Sequence, residues 1–261
     1  LEMHLGRRGN LLQPIPEAAR LLKISSPVLN ETELGKLSES GMQVATLSTL
    51  YSTADGPAGL RAAITALQER AVAAVQGGAE ILILSDRTDG LSPDTTYIPP
   101  LVAIGSVHHH LIRQGMRMQV SIVADTAQCW STHHFACAVG FGASAVCPYL
   151  ALESIRHWWN SDRTQNLMGS GKLPACSIEQ AQANYRAAVE AGLLKILSKM
   201  GISLLASYHG AQIFEAIGIG RELIDLAFVG TPSRVGGLGV AELAQEVMTF
   251  HATAFPELTA K

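Results

Sequence analysis

Asp86 and Asp125 stand where chemistry is sought first in an α/β protein. Each closes an apolar run that reads as a parallel strand, and the carboxyl ends of such strands are where sites gather. The competing reading is structural: Asp86 precedes Arg87, Asp89-Gly90 marks a turn, and Asp125-Thr126 suits a helix N-cap. His108, His109 and His110 are consecutive, as are His133 and His134. Neighbouring side chains on a helix diverge by roughly 100°, so three in a row do not converge on one metal, and neither group has HExxH spacing. Packing or a hydrogen bond to a carbonyl is the expected role of these rings. Cys129 lies four residues before His133, which raises a thiol nucleophile, yet buried inert thiols are expected at Cys129, Cys137 and Cys147. Their spacing does not bring thiolates together in one loop as an iron-sulfur cluster needs. Gly140-Phe141-Gly142 precedes a strand instead of following one, so it shapes a turn and cradles no dinucleotide. The glycines at 218, 220, 236, 237 and 239 precede helices, where free N–H groups attract anions. The expected outcome is that polar side chains do not gather at a shared point: no catalytic, cofactor-binding or metal-binding residue is assigned.

The elements that would position these residues alternate. Residues 1–40 read as a lead-in and linker region, broken by Pro14 and Pro16, with one helical turn near 17–22 and an extended stretch at 24–29. Asn30 with Glu33 three residues on forms a capping box for a helix to about Glu39. Residues 41–261 form the α/β core. Strands are expected at 42–48, 79–86, 119–125 and 143–147, and helices at 56–76, 100–114 and 132–139. Short connections between such units imply right-handed crossovers and a mostly parallel sheet. The spacing suits βα repeats of a rudimentary or incomplete TIM-barrel-like domain. Beyond Pro148 the pattern predicts a helix at 150–158, a polar loop at 160–174 and a helix from Ser177 that Gly192 interrupts. It then predicts a strand at 201–207 and helices at 211–216, 221–227 and 240–250. Trp158 and Trp159, with Tyr149 nearby, read as an interface patch.

Composition narrows the function classes. The 261 residues carry 19 basic and 22 acidic side chains, a formal net charge of -3, which suits neither a nucleic-acid backbone nor an anionic membrane. Charged residues make up 16% of the chain, against about 25% in ordinary soluble domains, and mean hydropathy is +0.21. Low charge, together with a start at Leu1, leads to the expectation of a piece of a larger protein with faces that other protein covers. No apolar run reaches the about 20 residues of a membrane span. Four cysteines without CxxC spacing suit reduced thiols.

Longer strings carry a resemblance. They are LGRRGNLL at 5–12, VHHHLIR at 107–113, HHFA at 133–136, GFGA at 140–143 and CPYL at 147–150. GLLKILSKMGIS at 192–203, SYHGAQIFEA at 207–216 and the segment from Phe228 through GTPSRVGGL at 230–238 complete the set. Together these resemble the central domain of the glutamate synthase large chain, ferredoxin-dependent or bacterial alpha; the last 25 or so residues carry less of the likeness. The resemblance implies a four-domain parent with an amidotransferase that releases ammonia from glutamine. It also implies a barrel with FMN and an iron-sulfur cluster that makes L-glutamate from 2-oxoglutarate. This segment would be a non-catalytic scaffold between them, helping form the ammonia channel and holding no cofactor itself. Its partners would be the amidotransferase and FMN-binding domains of the same chain. Ferredoxin or an NADPH-oxidising subunit would dock elsewhere, in the cytoplasm or the plastid stroma. The alternatives are an independent barrel-type enzyme, or a small-anion-binding regulatory module, built on Asp86 and Asp125.

Overall fold

The computed structural model describes residues 1–10, 12–13, 15–88 and 92–255; the expected Asp89-Gly90 turn and the break at Pro14 fall outside them. Four parallel strands form the central sheet: β3 (Val44–Ser48), β5 (Ile81–Ser85), β7 (Ser121–Asp125) and β8 (Ala143–Cys147), in that order. Each of the last three is reached through a helix: α2 (Gly56–Gln76), α3 (Pro100–Arg113) and α4 (Thr132–Gly140). The chain is α/β with βα repeats in a TIM-barrel-like arrangement.

Why the strands are apolar throughout follows from their two faces. Leu82, Leu84, Ile122, Ala124 and Val146 pack into the larger core with the crossover helices. Ile81, Ile83, Val123, Ala145 and Cys147 point to the other side and meet Leu5, Leu29, Leu37 and Met42. In a closed barrel that second face is the interior. Here the described residues of the stretch before β3, Leu5, Leu29, Leu37 and Met42 among them, cover it. β1 (Met3–Leu5) pairs antiparallel with β2 (Leu22–Ile24), Val28 bridges Val146 beside β8, and α1 (Glu31–Glu39) lies over the sheet. The capping box of α1 forms as expected: Asn30 Oδ1 accepts from Glu33 N–H and Glu33 Oε2 accepts from Asn30 N–H. Arg186 holds α1 from behind, donating to the Val28 carbonyl and to Glu33.

The middle of the chain carries a small antiparallel pair absent from the sequence reading, β4 (Leu50–Ser52) with β6 (Thr95–Tyr97). After β8 come α5 (Tyr149–Asn160), α6 (Asp162–Gly169), α7 (Ile178–Met200), α8 (Leu205–Tyr208), β9 (Gly218–Ile219), α9 (Arg221–Ala227), β10 (Gly237–Leu238) and α10 (Val240–Ala254). Four expectations fail in this half. Residues 162–169 are helical, not loop, because the Ser161 hydroxyl accepts the Thr164 N–H as an N-cap. Gly192 leaves α7 unbroken: a Cβ there would lie 2.5 Å from Thr132 Oγ1, so the missing side chain lets α7 approach α4. Residues 201–207 form no strand; the chain leaves the sheet and turns into α8. Residues 211–216 are not helical, and Gln212 adopts a positive φ of 54°. No described helix is long and apolar enough to cross a membrane.

Candidate functional site

The carboxyl ends of β5 and β7 place Asp86 and Asp125 side by side, the Asp86 N–H donating to the Asp125 carbonyl at 3.1 Å. The expectation that polar groups never gather is therefore corrected. Parallel pairing in register, with Ser85 opposite Asp125, puts successive strand-end residues on one rim. Around them stand Ser85, Arg87, Thr126 and Tyr149.

What the cluster does with its polar atoms decides its chemistry. Arg87 grips Asp125 with both arms, Nε to Oδ2 at 3.1 Å and Nη2 to Oδ1 at 3.0 Å. The Ser85 hydroxyl adds a bond to Oδ2 at 2.8 Å. The guanidinium also lies 4.1 Å over the Tyr149 ring, a cation–π contact. Asp86 receives the Thr126 hydroxyl at 2.5 Å and the Ala127 N–H at 3.0 Å. Burial raises the Asp86 carboxyl above its ordinary value, and the bonds from Thr126, Tyr149 and Ala127 act against that rise. Tyr149 is raised as well, by burial and by the Asp86 charge. Arg87 is raised chiefly by its bond to Asp125, so it stays a cation.

A base or nucleophile needs a lone pair turned toward a substrate. Each carboxylate accepts from groups at the other strand's end, Asp125 from Ser85 and Arg87 and Asp86 from Thr126 and Ala127. A cavity of about 340 Å³ does open above Asp86, walled by Thr96, Tyr97, Tyr149 and, from α10, Phe250 and His251. These residues do not fit a flavin phosphate: Asp86 is acidic and Arg87 is already taken up by Asp125. The geometry makes the cluster a staple between β5, β7 and α5.

The other candidates scatter. His108 and His109 are buried on α3 and divide between neighbours. His108 Nδ1 accepts from Arg117 Nε at 2.8 Å, and His109 Nε2 sits 2.9 Å from Gln212 Nε2. His134 caps α4, its ring facing the N–H groups of Trp130 and Ser131. His133 Nε2 lies 3.5 Å from Cys137 Sγ, one turn apart on α4; Cys129 is not on that helix. Burial pushes the Cys137 thiol up to about 11 and raises Cys129 and Cys147 too, which disfavours thiolates. Among the described residues no group of three His, Cys, Asp or Glu could hold a metal ion. The helix after Gly236-Gly237 is no anion site, because its first N–H groups are taken by acids of the chain: Gly239 by Glu242 and Val240 by Glu222. Trp159 donates to the Cys176 carbonyl while Trp158 is 46% exposed, so the pair splits into one anchored and one outward ring.

Sequence reasoning found the two aspartates but not Arg87 and Tyr149 as their partners. The adjacency of Arg87 to Asp86 was the available signal, although Arg87 pairs across the sheet with the other aspartate.

Fold and cluster together define a βα-repeat, TIM-barrel-like domain whose β5 and β7 ends are cross-linked by Arg87, Ser85 and Thr126. The chain belongs to the glutamate synthase central domain family, which matches residues 1–220. It is 59% identical to "Ferredoxin-dependent glutamate synthase 2" of Synechocystis and 53% identical to "Ferredoxin-dependent glutamate synthase" of Pyropia yezoensis, each over 100% of this chain and 17% of the relative. It is 54% identical to the chloroplastic ferredoxin-dependent glutamate synthase of rice, over 100% of this chain and 16% of that protein. The chain thus spans about a sixth of the length of the curated relatives it matches.

Proposed function

We propose that this chain is the non-catalytic central domain of a larger glutamate synthase. It holds an amidotransferase domain and an FMN-binding domain at a fixed separation and lends a wall to the channel that carries ammonia between them. The parent makes L-glutamate from glutamine and 2-oxoglutarate, with FMN and an iron-sulfur cluster bound outside this segment and with ferredoxin or an NADPH-oxidising subunit as electron source. Relatives such as the rice protein are named chloroplastic, which supports the plastid stroma as one location and the cytoplasm as the other. Residues 1–40 and the core 41–261 act as one unit in this reading, because Met3, Leu5 and Val28 are buried against the sheet.

One observation carries the non-catalytic reading. In this fold class the carboxyl strand ends do the chemistry, and here Asp125 and Asp86 are both engaged by side chains and N–H groups of the same chain. Titrating the purified chain with FMN tests it. The expected result is no saturable change in flavin fluorescence; stoichiometric micromolar binding overturns it. A second reading, an enzyme working through Asp86, has one observation in its favour: the cavity of about 340 Å³ above that carboxyl.

A further inference from the structure

The opposite side of the domain holds a second polar cavity, of about 450 Å³. Arg8, Arg117, His108, His209, Ser121 and Ser144 line it, and among the described residues no Asp or Glu does. Arg117 sits at the turn before β7. Its Nε donates to His108 Nδ1 at 2.8 Å, Nη1 to the Val120 carbonyl at 2.6 Å and Nη2 to the Gly142 carbonyl at 2.9 Å. All three acceptors are neutral. A guanidinium carries five N–H donors, so two remain. Arg8 is placed at the rim by its backbone: its N–H donates to the Met118 carbonyl, and the Gly6 N–H two residues earlier donates to the Ser121 hydroxyl. The Arg8 side chain reaches only the His4 carbonyl, at 3.4 Å. Among the described residues neither arginine forms an ion pair, whereas Arg87, Arg156 and Arg186 each do.

The two rings add no negative charge. His108 accepts at Nδ1, so the proton of the neutral ring sits on Nε2; His209 Nε2 lies 2.9 Å from the Gly142 carbonyl and donates to it. Burial and the nearby Arg117 push His209 down to about 3 and His108 well below its usual range, so both rings are neutral. A partly desolvated cation without a counter-ion is costly. Arg87, Arg156 and Arg186 take a counter-ion from their own chain, whereas Arg8 and Arg117 face one open cavity together.

We propose that this cavity binds a small doubly charged oxyanion, seated between Arg8 and Arg117, of the phosphate or short dicarboxylate class. The planar fork of Arg117 suits either, because both present paired oxygens to parallel N–H donors. Isothermal titration of the 261-residue chain with inorganic phosphate, and separately with succinate, tests this, with sodium chloride at matched ionic strength as control. Arg8→Gln is the informative variant, since its backbone bond is kept and its side chain makes one long contact. The unfolding temperature of that variant without anion serves as the check on folding. The expected result is saturable one-to-one binding of at least one anion, weakened at least tenfold in Arg8→Gln, with no saturable signal from chloride. Which anion binds identifies the ligand class. Absence of saturable binding by both, or equal affinity in a folded Arg8→Gln, overturns the proposal.

Discussion

Three histidines show how position, and not residue type, sets what an ionisable group does. His108, His109 and His209 are all held below the usual imidazole value, His109 to about 4 and His209 to about 3, with burial the largest cause for each. A ring that stays neutral in the fold but takes a proton when unfolded makes stability fall as pH drops below about 6.5. The loss continues until the folded ring itself titrates. Each such ring contributes a slope that approaches about 1.4 kcal/mol per pH unit well below 6.5. Asp86 acts in the opposite sense: its raised value adds stability that is fully present below the ordinary aspartate value and fades as pH rises through the raised one. The histidine effect is read between pH 6.5 and pH 5, below the free imidazole value and above the folded values of His109 and His209. Urea unfolding across that interval is expected to show a falling midpoint, and His209→Gln to make that fall shallower. A midpoint independent of pH contradicts this.

At the scale of elements, local rules worked where the chain obeys them alone. The Asn30 capping box, the Ser177 cap of α7 and the two-sided apolar strands 81–85, 121–125 and 143–147 were legible because each signal sits within a few residues. The failures share a tertiary cause. Gly192 reads as a break, but its lack of a side chain serves the packing of α7 on Thr132. Residues 201–207 have strand composition, yet β8 already has Val28 beside it, so no further central-sheet strand follows. The pair β4 and β6 is joined across 40-odd residues, beyond the reach of a local pattern. Gly105 gives a sharp test of such packing. A Cβ on it would lie 2.2 Å from the Ala227 carbonyl oxygen, a backbone atom that cannot step aside without moving α9. Gly105→Ala gains helix propensity of about 1 kcal/mol but forces α3 and α9 apart, a strain of typically 1–3 kcal/mol and sometimes more. A net loss of up to about 2 kcal/mol in chemical denaturation is expected; a raised stability shows the contact to be soft.

The described residues form a barrel-like sheet left open, its inward face covered by Leu5, Leu29, Leu37 and Met42 of the same chain. That arrangement was only half readable. Repeats of strand and helix announced the barrel-like rhythm, whereas the burial of Met3 and Leu5 against distant strands has no local signature. The strand-end aspartates were legible as candidates; their closure by Arg87, Ser85 and Thr126 was not, because it depends on strand order and register. Closure is the feature on which the proposed scaffold role rests. Asp86→Asn discriminates between a scaffold and an enzyme, with the unfolding temperature of the variant as the check on its fold. The amide oxygen still accepts the Ala127 N–H, and burial already favours the uncharged carboxyl that the amide imitates. The decisive measurement is steady-state glutamate formation by the full-length enzyme carrying Asp86→Asn. A scaffold role predicts turnover within about twofold of the parent, since a general acid or base is worth about 10²–10⁴-fold and none is removed. A folded variant whose turnover drops a hundredfold or more contradicts it.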